Sequence, residues 1–133
     1  MTRTLNQPTI VTAAVIERNG SFLLTTRPEG THLAGCWEFP GGKCEANETA
    51  EQALERELRE ELDVRAMVSR EIFRTEYRYP ERFLELRFFE CEISGEPRPM
   101  QGQEMRWVPR EDLLRLRFPP ADEAFIKRLM AEG

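Results

Sequence analysis

The sequence predicts a single α+β domain, on three observations. Residues 50–62 have the composition and periodicity of a helix, apolar stretches of strand length flank them on both sides, and an amphipathic segment closes the chain. With 133 residues, 40% hydrophobic and 32% charged, the chain can bury roughly two-thirds of its unfolded surface, so it needs neither staples nor a second domain. Disorder and collagen-like repeats are excluded.

The elements follow in order. Residues 10–17 are largely apolar and read as a buried strand; Arg18, Asn19, Gly20 and Ser21 supply a turn, and residues 22–27 a second strand, together a hairpin. Pro28 and Gly30 begin a loop, residues 36–39 form a short apolar stretch, and Pro40, Gly41 and Gly42 break the chain again. Thr49 and Gln52 form a capping box for the helix 50–62, which is built from Ala, Leu, Glu, Gln and Arg. Strands are expected over 64–70, 72–79 and 83–93, the last two joined through Pro80, Glu81 and Arg82. Residues 96–103 hold two prolines and a glycine and read as a loop before a short strand at 105–108. Pro119 and Pro120 suit the start of a last helix whose Phe125, Ile126, Leu129 and Met130 share one face.

Charge and cysteine usage narrow the function classes. With 19 basic and 24 acidic residues the net charge is −5, a poor match to a nucleic-acid polymer. No apolar run approaches the ~20 residues of a membrane helix. The start of the chain, from Met1 to Pro8, lacks the apolar middle of a signal peptide, so the cytosol is the expected compartment. Cys36, Cys44 and Cys91 lack C-x-x-C spacing and read as free thiols. His32 is the single histidine, so a bound metal would be held mainly by oxygen, which favours Mg²⁺ or Mn²⁺.

The helix carries the sharpest signal. Ala50, Leu54, Leu58 and Leu62 define its core face, and at about 100° per residue Glu61 falls on that face with Glu57 and Glu60 at its flank. These acids repel one another at i,i+3 and i,i+4 spacing, and partial burial sharpens the repulsion. A divalent cation in front of them would relieve it. The plainer reading is a solvated acidic face balanced by Arg56 and Arg59. Against that reading stand the apolar position of Glu61 and the preceding Gly41 and Gly42, which allow a close backbone approach and a carbonyl turned to the same cation.

The stretch from Gly42 to Val64 resembles the Nudix box, G-x₅-E-x₇-R-E-U-x-E-E-x-G-U with U apolar. Gly42, Glu48, Arg56, Glu57, Leu58, Glu60, Glu61 and Val64 stand at its fixed positions, and Asp63 replaces its final glycine. Asp tolerates the left-handed conformation such a helix end needs better than most residues, at modest cost. The approach to the box, from Leu33 to Lys43, and the segment from Phe118 to Glu123 are similar to the MutT branch, the oxidised-nucleotide pyrophosphohydrolases and their relatives acting on CTP.

The resemblance implies an α/β/α sandwich with a mixed β-sheet between helices, and Mg²⁺-dependent hydrolysis of a nucleoside triphosphate to the monophosphate and pyrophosphate, in sanitation of the nucleotide pool. By match to the box, Glu57, Glu60 and Glu61 would be metal ligands, joined by the Gly42 carbonyl, with Glu48 and Arg56 in support. Glu57 or a loop glutamate would deprotonate the attacking water. Glu104 is the candidate loop carboxylate, although an ungapped comparison with MutT puts Gln101 there. Arg27 falls where relatives contact phosphate, Phe39 would be an apolar wall or stacking partner for the base, and Asp122 its edge reader.

An ionised Asp122 only accepts hydrogen bonds, which suits the amino group of cytosine and also the amino or ring N–H edge of an oxidised guanine. Both 8-oxo-dGTP and CTP-type substrates therefore stay open, as does a broader nucleoside-diphosphate-linked hydrolase. A non-catalytic base-recognition module fits poorly with the intact acids. An interaction role for the Arg- and Phe-rich residues 82–89 is less economical than strand alternation. His32 reads as a bystander, and Trp37 and Trp107 as packing residues. The implied partner is a small nucleotide, with no polymer and no membrane, bound by a monomer or weak homodimer.

Overall fold

The computed structural model describes residues 7–132. Residues 1–6, most of the stretch read for a targeting signal, lie outside the described residues, as does Gly133. Among the described residues, eight strands and two helices run β1 (Thr9–Val15), β2 (Glu17–Arg18), β3 (Ser21–Thr26), β4 (Trp37–Glu38), β5 (Gly41–Lys43), α1 (Ala50–Leu62), β6 (Arg65–Tyr79), β7 (Arg82–Ser94), β8 (Met105–Pro109) and α2 (Glu123–Glu132). Short 3₁₀ turns at Arg110–Arg115 and Pro120–Asp122 precede α2. One sheet has the order β5-β1-β7-β6 and is mixed, because β1 and β7 run parallel while the other pairs are antiparallel. In the other, β3 pairs with β2, β4 and β8, all antiparallel. The architecture is α+β, as expected.

The near-continuous apolar character of β1 has a plain cause: the strand is covered on both faces. Ala13 and Val15 join a core with Phe88, Phe125 and Leu129, on the α2 side. Ala14 joins a second core with Leu54, Leu58 and Leu62, on the α1 side. Phe88 and Phe89 divide between the two cores in the same way. The two helices thus stand on opposite sides of the sheet, α1 carrying the acids and α2 closing the end that Asp122 begins.

Four local expectations change. The N-terminal hairpin is confined to Glu17–Arg18 against Ser21 and Phe22, while β1 leaves for the other sheet, where β5 and β7 satisfy its backbone. The two strands expected over 64–79 are a single strand, β6, whose register slips between Val68 and Arg70 and again between Glu71 and Phe73; bulges, not a break, interrupt the alternation. Gly41 and Gly42 do not end the chain's regular structure but pair with Ala13 and Thr12. The 3₁₀ turn at Arg110–Arg115 carries no strong periodicity and was unforeseen. No helix among the described residues is long and apolar enough to cross a membrane.

Candidate active site

The capping box at Thr49 forms as expected: Gln52 N–H donates to Thr49 Oγ1 at 3.1 Å, and Thr49 N–H to Gln52 Oε1 at 2.9 Å. It fixes where α1 starts and so which way its glutamates face. The far end of α1 is closed by Asp63, left-handed at φ 57° and ψ 40°. There the loop after β7 supplies donors to otherwise unpartnered carbonyls. Arg98 N–H reaches Leu62 O, while Met100 N–H and Gln103 Nε2 both reach Glu61 O. Gln103 is buried in consequence, and Gln101 N–H donates to its side chain.

Glu57 and Glu61 stand one turn apart on α1, near enough for each carboxyl to shift the titration of the other. Burial is the main cause that lifts both carboxyls above the usual range; Glu57 raises Glu61 further, and Glu60 and Glu45 raise Glu57 against the pull of Arg56. Glu38 on β4 adds a third negative group nearby, itself raised by burial against the opposing pull of Arg27. Gly42 lies so close that a Cβ built on it would stand 2.1 Å from Glu57 Oε2. Its carbonyl accepts the hydroxyl of Thr12, a buried threonine inside an otherwise apolar strand, at 3.0 Å.

Arg56 clamps Glu48 with two bonds, Nε to Oε2 at 3.1 Å and Nη2 to Oε1 at 2.7 Å, and also donates to the Lys43 carbonyl. This fork holds the Glu48 carboxyl below its ordinary range. The same guanidinium stands 3.6 Å from Glu57 and 3.5 Å from Glu60. Glu60, half-exposed, is turned to Arg56, and among the described residues no three His, Cys, Asp or Glu side chains are already grouped as for a metal.

A cavity of about 240 Å³ opens beside Gly42, lined by Arg27, His32, Glu38, Phe39, Tyr79 and Asp122 among others. Arg27 donates through Nε to the His32 carbonyl at 2.6 Å and through Nη1 to Glu38 at 2.9 Å. Phe39 lines this cavity from within the core, where its ring packs edge-on against Phe22, Phe88 and Phe125 and stacks on Phe118. Burial, reinforced by Glu38, pushes Asp122 up to about 7. A neutral Asp122 can donate as well as accept, so the acceptor role expected of it belongs to its ionised form.

Glu104 is exposed; its backbone exchanges bonds with Thr26, N–H to Oγ1 at 2.9 Å and carbonyl to the Thr26 N–H at 3.1 Å, which anchors the loop beside Arg27. Glu38 and Tyr79 were missed at the level of sequence. The signal for Glu38 was available: it is an acid inside the apolar stretch 36–39. His32 lines the cavity with its ring against Tyr79. Trp37 and Trp107 pack as expected, each under an arginine, Arg106 and Arg18. All three cysteines are free.

The family model for the NUDIX domain matches residues 11–128. The chain is 41% identical over 131 residues to an 8-oxo-dGTP diphosphatase of Haemophilus influenzae, covering 96% of each chain. To a CTP pyrophosphohydrolase of Escherichia coli it is 37% identical over 91% of this chain and 90% of the other. The solution structure of the E. coli ORF135 protein superposes with a TM-score of 0.83 at 36% identity, covering 94% of this chain and 90% of that one.

Proposed function

The chain belongs to the Nudix family, and on that premise we propose that it hydrolyses a nucleoside triphosphate, of the 8-oxo-dGTP type, to the monophosphate and pyrophosphate. The observation that carries the reading is the placing of the Glu57 carboxylate, with Glu61 one turn on, against Gly42 at the edge of a cavity that also holds Arg27, Glu38 and Asp122. Two acids that repel anions beside a recess of about 240 Å³ holding Arg27 make chemical sense when a cation joins them.

The donor set fits Mg²⁺, and Mn²⁺ as a substitute: Glu57, Glu60 and Glu61 offer carboxylate oxygens, the Gly42 carbonyl stands beside Glu57, and burial holds two of the acids above their ordinary range until a cation neutralises them. When bound, the ion supplies neutralisation of the polyphosphate and polarisation of its P–O bond. Glu57 or Glu104 takes the proton of the attacking water. Arg56 and Glu48 hold the start of the glutamate run in place, and Arg27 turns its remaining donors to phosphate. Phe39 walls the base, and Asp122 reads its edge. Such an enzyme would cleanse the cytosolic nucleotide pool and so protect DNA, acting as a monomer or weak dimer on a small substrate.

A second reading is a CTP- or dCTP-type pyrophosphohydrolase. It is favoured by the likeness to the E. coli enzyme of that name and by an Asp122 able to meet a cytosine amino group. One assay with Mg²⁺ and 8-oxo-dGTP, dGTP, CTP, dCTP, 5-methyl-dCTP and a nucleoside-diphosphate sugar separates the readings. The expected result is pyrophosphate with the monophosphate of 8-oxo-dGTP at the highest kcat/KM, abolished in Glu57→Gln. No turnover of any triphosphate, or release of orthophosphate instead, would overturn the proposal.

A further inference from the structure

Tyr79 ends β6 at the mouth of the cavity and is 9% exposed. Its hydroxyl accepts the Ala121 N–H at 3.1 Å, a bond between residues 42 positions apart. Ala121 is the middle residue of the 3₁₀ turn Pro120–Asp122, where the first N–H groups of a helical start lack partners of their own. Pro119 and Pro120 have no N–H to offer, and Asp122 N–H bonds back to Pro119 O at 2.9 Å. The phenol thus ties the turn to the sheet from outside. The ring is in turn held by the edge of His32 at 4.7 Å and by Tyr77 at 4.7 Å.

The residue presented by this turn is Asp122, 6% exposed, which lines the same cavity as Glu38 and Arg27. A side chain so enclosed is aimed by its backbone. We propose that Tyr79 is a positioning residue for base selection: its hydroxyl fixes the Ala121 amide, and through it the aim of Asp122 into the cavity. Being on β6 rather than on the turn, Tyr79 makes the selectivity of the cavity depend on the β6–β7 hairpin as well as on Asp122. This inference rests on the nucleotide reading above and adds to it a residue that touches neither phosphate nor metal.

Tyr79→Phe removes the hydroxyl alone and keeps the ring. With 8-oxo-dGTP, dGTP and dCTP as probes, the expected result is a KM for the preferred triphosphate raised about 5- to 10-fold, a smaller change in kcat, and a kcat/KM preference over the others narrowed by a similar factor. In an Asp122→Asn background the same change narrows nothing further, because the selectivity it acts through is already altered. The amide of Ala121, followed by hydrogen exchange in solution, loses protection in Tyr79→Phe while the unfolding midpoint moves by only a few degrees. An unchanged preference in Tyr79→Phe, an equal narrowing with Asn at 122, or an Ala121 amide that exchanges as fast in the wild type as in the variant would each overturn the inference. If the wild type hydrolyses none of the probes, the functional reading fails separately, and the exchange measurement alone decides whether the tether exists.

Discussion

Gly42 and Glu57 are in contact so close that a methyl group on Gly42 would meet the carboxylate at 2.1 Å from Oε2 and 2.4 Å from Cδ. The clash is with the tip of a flexible side chain, and Gly42 has no left-handed φ, so alanine is accommodated by moving Glu57 aside. Gly42→Ala is expected to lower pyrophosphate release by about 100-fold, as misplacement of a reacting group by an ångström does, while thermal unfolding shifts by about 1 kcal/mol or less. Gly41→Ala is the contrast. Its methyl would stand 2.1 Å from the backbone oxygen of Thr12, which cannot swing away. That variant loses several kcal/mol of stability in urea unfolding.

Arg56 serves Glu48 through a planar fork and Lys43 O through the same Nη2. Lysine keeps the charge and loses the fork. Arg56→Lys is expected to cost about 1 kcal/mol of stability and to reduce kcat by about 10-fold or more, since the loop from Lys43 to Glu48 then no longer holds its place beside the glutamates. Steady-state kinetics with urea unfolding on the same preparation check both. Full kcat in this variant would mean that the fork shapes the loop without aligning the acids.

Much of this site was legible because a 3.6-residue period places residues by counting. Glu61 fell on the apolar stripe of α1 by arithmetic alone, and its raised carboxyl is the physical consequence. What counting could not reach was contact across distant segments. Glu38 and Asp122 influence one another electrostatically although 84 positions separate their numbers, and the bond from Ala121 to Tyr79 depends on β6 running unbroken through its bulges. The bulges misled the reading of residues 64–79, because a register slip reverses the alternation that marks a strand. The charge state of Asp122 was illegible for the same reason: burial is set by tertiary packing, not by the residue type.

Glu71 sits at the second bulge, where Arg74 and Arg87 both grip its carboxylate with bonds of 2.8 to 3.1 Å. Arg74 foremost, with Arg87, holds its pKa down at about 2, against 4.5 for a free glutamate. A depressed carboxyl stabilises the fold above its unfolded pKa and ceases to do so as pH falls through its folded one. The stability difference between wild type and Glu71→Gln is therefore expected to be about 1–2 kcal/mol at pH 7, to shrink progressively below about pH 5, and to vanish only below about pH 2. Thermal unfolding of both proteins across that range checks it. A gap that persists undiminished at pH 2 would assign the effect to packing of the bulge.

Asp63 closes α1 in the left-handed region, where the Nudix box has glycine. A non-glycine residue in that conformation costs roughly 1 kcal/mol, less for Asp than for most. Asp63 is also paired with Arg98, but both side chains are largely exposed, and such pairs contribute about 0–1 kcal/mol. The main closure of this helix end is carried by backbone: Asp63 N–H to Arg59 O, Arg98 N–H to Leu62 O and Met100 N–H to Glu61 O, none of which needs the Asp63 side chain. Relief of the left-handed conformation then outweighs loss of the ion pair. Asp63→Gly is expected to raise stability by a few tenths to about 1 kcal/mol, with the gain growing in high salt, where the lost pair was already screened. Urea unfolding at low and high ionic strength measures it. A destabilised glycine variant whose deficit disappears when Arg98→Ala is the reference would show instead that the ion pair, not the backbone, holds the end of α1.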